Sequence, residues 1–169
     1  MALISSSASV QNMEQAVMQS ASNGTLLGYA LCQTDVCVEN VTLSFSPADD
    51  QIQVAVIRCL SSALRRSEPA LFEPIVDMEL HCSNSHIGDV ISDLSRRRRA
   101  QINEVLPVAA ERTRASAQVP LSEMIGYATA VRSLSQGSAH YSTRFRTFRQ
   151  VPAREQAIIL SKMFSPPSP

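Results

Sequence analysis

The segment from Leu71 to Arg98 constrains the fold most, because it changes from a strand pattern to a helix pattern within a few residues. In residues 71–82 apolar and polar side chains alternate, which is typical of a strand with one buried face. In residues 86–98 apolar side chains recur every three or four positions, which is typical of a helix with one buried stripe. The apolar positions are Val76, Met78 and Leu80 in the strand, and Ile87, Val90, Ile91 and Leu94 in the helix.

The second half of the chain continues with further strand and helix patterns. They predict strands over residues 101–108, 115–119 and 138–148, a helix over 121–134, and a last helix from Pro152 to near Met163. The helix over 121–134 is expected to bury Leu121, Met124, Ile125, Ala128 and Val131. The order βαββαβ after Pro69 is that of the ferredoxin-like α+β fold, an antiparallel sheet with two helices on one face.

The first third of the chain predicts only an αβα segment, which is too short to close a sheet by itself. Its expected parts are a weak helix over residues 11–22, a β-like run over 25–45 that includes Val36, Val38, Val41 and Leu43, a turn at Ser46-Pro47, and a helix over 51–66. We therefore expect a disordered lead-in over residues 1–10, an incomplete domain over 11–68, the ferredoxin-like domain over 69–152, and a helix with a frayed tail over 153–169.

The net charge is zero, but its two signs are unevenly distributed along the chain. Residues 1–83 carry three arginines and nine acidic residues, whereas residues 84–169 carry twelve basic and six acidic residues. This asymmetry favours an anionic partner for the second half, although two ordinary solvated surfaces would give the same count.

Four consecutive arginines, Arg96 to Arg99, end the helix over residues 86–98. One or two cations are enough to complement a helix dipole, and four adjacent like charges repel one another. The run therefore favours contacts with phosphate over a merely solvated helix end. The other candidate RNA-binding residues are Arg132, at the end of the next helix, and Arg144 and Arg146, which share one face of the last strand, opposite the face expected to carry Phe145.

The sequence predicts no catalytic site and no metal site. It lacks the glycine-rich phosphate-binding motifs and the nucleophile elbow of hydrolases, and its three histidines are scattered. The four cysteines form no C-x-x-C pair, and we expect Cys59 on the apolar face of its helix and Cys82 buried at a strand end. No apolar run is long enough to span a membrane, and thiols in this pattern are typical of a reducing compartment.

Several long stretches of the second half resemble the fifth domain of elongation factor G, the ribosomal translocase. They are LFEPIVDMEL, GDVISDLSRRRRAQI and VPLSEMIGYATAVRSLSQG. Upstream, NMEQAVMQSASNGTLLGYALCQTDVCV and VAVIRCLSSALRRSEPALFEP resemble the end of the fourth domain. The resemblance runs from about Gln11 to Met163. The stretch VIRCLSSALRRSEPALFEP and the serine in SQGSAHYS are most similar to the mitochondrial, ribosome-releasing members of the family.

This resemblance implies an S5-like fragment of the fourth domain followed by a ferredoxin-like fifth domain. It implies a monomer that binds the RNA and proteins of the large ribosomal subunit in mitochondria, with ribosome recycling factor as a further partner. The implied role is ribosome release, recycling or translocation; the alternative is a standalone, non-enzymatic RNA- or protein-binding module derived from the factor. The family's GTP-binding domain, which holds GTP and Mg²⁺, has no counterpart here, so we expect neither a cofactor nor GTP hydrolysis. By position, Arg96, Arg97, Arg98 and Arg132 are the implied RNA-facing residues.

The chain departs from the family pattern at two basic positions. Where the family usually has a glycine after its helix-end arginines, this chain has Arg99-Ala100, one residue longer. The last strand carries arginines where relatives often carry acidic residues. The first departure changes the turn after the helix, and the second makes the last strand more basic.

Overall fold

The computed structural model describes residues 7–39 and 48–164. The chain divides into two compact units, the first ending at Leu71 and the second beginning at Phe72. Each unit has its own packed elements and is described by itself.

Two helices that pack against each other form the first unit. Helix α1 spans Ser7–Ala21 and helix α2 spans Asp49–Arg66, with Ala16 and Ile52 buried. Helix α1 begins four residues before the start that the sequence predicts. Its first turn carries no apolar periodicity, so the pattern does not reveal it. Cys59 is exposed, so its expected place on the apolar face of α2 was wrong.

The predicted β-like run does not form a strand over residues 25–39. The Gly24 N–H donates to the Tyr29 carbonyl at 2.7 Å, and the Leu31 N–H donates to the Ala21 carbonyl at 2.8 Å, so the segment turns back onto the end of α1. A strand needs a neighbouring strand for its backbone groups, and the described part of this unit offers none. Val41, Leu43 and the predicted turn at Ser46-Pro47 lie outside the described residues.

The second unit has the βαββαβ order that the sequence predicts, which confirms the ferredoxin-like fold. Its elements are β1 (Phe72–Ser83), α3 (Ile87–Arg97), β2 (Gln101–Ala109), β3 (Arg112–Pro120), a 3-10 turn (Leu121–Met124), α4 (Tyr127–Leu134), β4 (His140–Gln150) and α5 (Ala153–Phe164). The sheet order is β2-β3-β1-β4, and every neighbouring pair is antiparallel. The central strands are therefore β1 and β3, and the edges are β2 and β4.

The core lies between the inner face of the sheet and helices α3 and α4. The buried cluster combines Val76, Met78, Leu80 and Cys82 of β1, Ala115, Ala117 and Val119 of β3, Val90 and Leu94 of α3, and Tyr127 and Val131 of α4. The alternation of β1 and the apolar stripe of α3 are both confirmed by this cluster. Burial of apolar surface stabilises a fold by roughly 25 cal/mol per Å². These two elements therefore contribute much of the stability of the unit.

The single helix predicted over residues 121–134 is two elements, separated by Gly126. Gly126 has φ of +73°, a left-handed conformation that ends the 3-10 turn and changes the direction of the side chains that follow. As a result Ile125 is 81% exposed and Leu121 is 46% exposed, whereas Tyr127 is fully buried. Burial was thus wrongly predicted for Leu121, Ile125 and Ala128, and the helical phase explains why.

Gly126→Ala and Gly88→Ala should change stability in opposite directions. A Cβ at either position meets no atom within 4 Å, so packing does not enter the comparison. At Gly126 alanine must adopt positive φ, which should lower the free energy of unfolding by about 1 kcal/mol. At Gly88, inside α3, alanine should raise it by about 0.5 kcal/mol. Urea titration of both variants checks this, and an unchanged Gly126→Ala midpoint would contradict the role assigned to the left-handed turn.

Candidate nucleic-acid interface

The four helix-end arginines, Arg96 to Arg99, straddle the end of α3. Helix α3 ends at Arg97, and Arg99 follows it with φ of +50°. The Ala100 N–H then donates to the Leu94 carbonyl at 3.0 Å and closes the helix. Glycine is the usual residue in this left-handed position, and any other residue costs about 1 kcal/mol there. The contacts of the Arg99 side chain must therefore offset the free-energy cost of its left-handed backbone.

The side chain of Arg99 binds two glutamates at once. Its two terminal nitrogens donate to both carboxylate oxygens of Glu73 at 2.8 Å, and its Nε donates to Oε1 of Glu123 at 2.9 Å. The hydrogen bonds to Glu73 raise the pKa of Arg99, with desolvation acting in the opposite direction. We call Arg99, Glu73 and Glu123 the Arg99 junction. It ties the end of α3 to the start of β1 and to the 3-10 turn.

Arg98 is also directed inward. Its Nη1 donates to the backbone carbonyl of Glu123 at 2.7 Å, and its Nε lies 3.5 Å from Oδ2 of Asp93. Its guanidinium lies 5.2 Å from the centroid of the Tyr127 ring, within the range of a cation–π contact. Burial raises the pKa of Tyr127, so the ring stays neutral beside the cation. Only 21% of the Arg98 side chain is exposed, because these contacts cover it.

Arg96 and Arg97 point into solvent instead. The Arg97 side chain is 80% exposed, with its Nη1 3.8 Å from Oδ1 of Asp93. Arg96 is exposed and makes no ion pair with any residue that the structure describes. The run of four arginines therefore supplies two outward cations and two inward ones.

Arg132 lies at the other end of the helix pair. Because Arg98, just past the end of α3, contacts Tyr127 at the start of α4, the two helices run antiparallel. Arg132 is five residues beyond Tyr127, about 7.5 Å further along α4 at the usual helical rise. It is exposed, like Arg96 and Arg97 at the end of α3. The two helices thus present basic side chains at both ends of their outer surface.

Arg144 and Arg146 lie on the opposite face of the sheet. Arg144 is in register with Asp77, whose neighbours Val76 and Met78 point into the core, and Arg146 donates to both carboxylate oxygens of Asp77 at 3.1 and 3.2 Å. The sheet therefore separates these two arginines from the helix-end group. The sequence predicts their shared face but gives no sign of which carboxylate they meet.

His81 is hydrogen-bonded to Glu79 at 2.9 Å, and residues 7–39 and 48–164 contain no group of three or more possible metal ligands. Within the same residues no helix is long and apolar enough to cross a membrane.

Substitution at Arg99 should show what the junction contributes. Arg99→Ala leaves the mostly buried Glu73 without its cation and should destabilise the second unit by about 2 kcal/mol, less than a fully buried pair because Arg99 is 28% exposed. Arg99→Gly loses the same pairs but relieves the left-handed backbone, so it should cost only about 1 kcal/mol. Arg96→Ala is the control and should stay within about 0.5 kcal/mol of the parent. Equal unfolding midpoints for Arg99→Ala and Arg96→Ala would contradict this assignment.

The chain is similar to known proteins over most of its length. The family described as "Elongation factor G C-terminus" matches residues 70–159, just over half of the chain. Elongation factor G of Petrotoga mobilis is 35% identical over 154 residues, which are 89% of this chain and 22% of that protein. Ribosome-releasing factor 2, mitochondrial, of Danio rerio is 28% identical over 158 residues, 89% of this chain and 20% of that protein.

A solved structure has the same architecture. A crystal structure of a Thermus thermophilus protein matches with a TM-score of 0.81 and 25% identity, over 92% of this chain and 24% of that one. The chain thus spans about a fifth of the length of the curated relatives it matches.

Proposed function

This chain belongs to the elongation factor G C-terminus family, and from that membership we propose that it binds the large ribosomal subunit through RNA. The helix side of the second unit carries the contact, with Arg96 and Arg97 on the phosphate backbone. Arg132 extends the surface to the other end of the helix pair.

The single observation that carries this proposal is the division of the arginine run. Arg98 and Arg99 are neutralised by carboxylates and carbonyls of their own chain, whereas Arg96 and Arg97 are exposed at the same helix end. A guanidinium can grip a phosphate through two parallel N–H groups, and each such contact releases a counterion. Fixing the helix end through the Arg99 junction would hold these two cations in place before binding, which reduces the entropy lost on association.

In this proposal the chain contributes binding and no chemistry. Phosphate contacts position a protein on folded RNA without reading its bases, which suits docking on a ribosome. GTP hydrolysis is assigned to other parts of the full-length relatives, and the chain acts as a monomer.

The finer role we propose is in mitochondria, in ribosome release or recycling, with ribosome recycling factor as a partner. The support is the relative named Ribosome-releasing factor 2, mitochondrial, from Danio rerio. The relatives named Elongation factor G are similar over the same part of the chain, so translocation is the competing role. Affinity for mitochondrial rather than bacterial large subunits would support the finer role.

Removing the two outward cations should weaken binding to isolated large ribosomal subunits. The variant Arg96→Gln/Arg97→Gln should lower the affinity about tenfold at low salt and reduce the slope of log K against log salt by about 1.5, since each phosphate contact contributes about 0.7 to 0.9. Sedimentation with purified subunits over a range of salt concentrations measures both quantities.

The control is Arg65→Gln/Arg66→Gln, another pair of adjacent, exposed arginines at a helix end, in the first unit. It removes the same charge and should leave the slope nearly unchanged. If both double variants bind equally, or if neither differs from the parent, the proposed contact is wrong.

A further inference from the structure

The edge strand β4 carries an exposed pair of aromatic rings. Phe145 is 56% exposed and Phe148 is 43% exposed, and their ring centroids lie 5.3 Å apart with the planes tilted by 60°. Phe145 is on the face of β4 that turns toward the core, since its register partner Val76 is in the core. At the edge of the sheet, however, more than half of the Phe145 ring remains open. Exposed aromatic surface of this kind is typical of binding sites.

Arginines alternate with these rings along the strand. Arg146 is paired with Asp77, and Arg149 donates to the neutral amide oxygen of Gln118 at 2.6 Å. Arg144 is exposed and forms no ion pair within residues 7–39 and 48–164. Asp77 and Glu79 are the acidic residues of β1 beside these three arginines, while Glu73, the register partner of Arg149, is paired with Arg99. The strand edge has a net positive charge next to an open aromatic face.

A bulge in β4 limits what kind of ligand can use this edge. The pairing of β4 with β1 shifts between Ile75 and Val76, so that Phe145 and Thr147 occupy successive positions and Arg146 is the extra residue. An incoming peptide strand needs a regular row of backbone donors and acceptors, which a bulge interrupts. A ligand that stacks on a ring and pairs with a guanidinium needs no such regularity. The geometry therefore favours an unpaired base with its phosphate over an added strand.

We propose that the edge of β4 is a binding site for single-stranded RNA, with a base stacked on Phe145 and a neighbouring phosphate paired with Arg144. Stacking accepts any base, so the site has little sequence preference. Phe145 is on the helix side of the sheet and Arg144 on the opposite side, so the ligand passes around the β4 edge; the site shares no residue with the surface assigned to ribosome docking. A double-stranded RNA does not fit, because its bases are already stacked and paired.

Fluorescence of a short RNA tests this site directly. The probe is a ten-nucleotide oligouridine with one central 2-aminopurine, whose emission is quenched when it stacks on a ring; the chain has no tryptophan to interfere. The full chain should bind and quench the probe. Phe145→Ala should weaken binding about tenfold and abolish the quenching, as expected for the loss of one stacked base. Arg144→Gln should weaken binding and lower the salt slope by about 0.7 while the quenching at saturation persists.

Matched controls separate stacking from general effects. Phe164→Ala removes a 72% exposed phenylalanine from α5, and Arg154→Gln removes an exposed arginine from the same helix; neither should change binding or quenching. Phe145→Leu keeps apolar bulk for folding and should still lose the quenching. Arg96→Gln/Arg97→Gln should keep the quenching of the probe at saturation even where it loses ribosomal subunits, so the stacking site and the docking surface fail independently.

Three results would overturn the proposal. One is full quenching with Phe145→Leu, which would place the base elsewhere. The second is equal weakening by Phe164→Ala, which would make the effect non-specific. The third is a parent chain that does not bind the RNA probe but binds a glutamate-rich peptide, with the peptide binding lost in Phe145→Ala. That result would assign the edge to a protein partner.

Discussion

The double ion pair of Arg99 is the interaction on which the proposed interface depends. It joins Arg99, at the end of α3, to Glu123 and Glu73, which are 24 and 26 residues away in the chain. A left-handed arginine is unfavourable by itself, so the turn persists because both carboxylates hold the side chain. With that turn fixed, Arg98 lies over Tyr127 and receives its own partners. Arg96 and Arg97 remain exposed to solvent. The run of four arginines thus provides two cations held by contacts within the chain and two exposed ones.

The sheet gives the second unit two chemically different sides. Its inner face is apolar and covered by α3 and α4, which leaves the outer surfaces of these helices for the helix-end arginines and Arg132. Its outer face carries the arginines of β4 next to Asp77, and the aromatic pair lies along the β4 edge. The basic residues of the second unit therefore lie on two separate surfaces, although they contribute alike to its net charge. The helix side suits phosphates of folded RNA, whereas the edge of β4 suits an unpaired base.

Sequence reasoning succeeded where the deciding forces are local. The alternation of β1 and the stripe of α3 depend on neighbouring residues, and together with the order of elements they were enough to predict the ferredoxin-like fold. The errors concern long-range or conformational facts. The left-handed Gly126 rotates Tyr127 into the core and Ile125 out of it, and no periodicity predicts that angle. The partners of Arg99 are 24 and 26 residues away in the sequence, so no local pattern predicts them.

The most direct test of the account is to map where the end of α3 lies on the ribosome. Ser95 is exposed in α3, next to the arginine run. A Ser95→Cys variant can carry a tethered iron chelate on its thiol. The accessible Cys32, Cys37 and Cys59 are first replaced by serine so that only this position is labelled. Hydroxyl radicals released there cleave only nearby RNA. We predict localised cleavage of large-subunit RNA that disappears in the Arg96→Gln/Arg97→Gln background. A tethered chain that binds large subunits yet cleaves no RNA from this position would contradict the central claim.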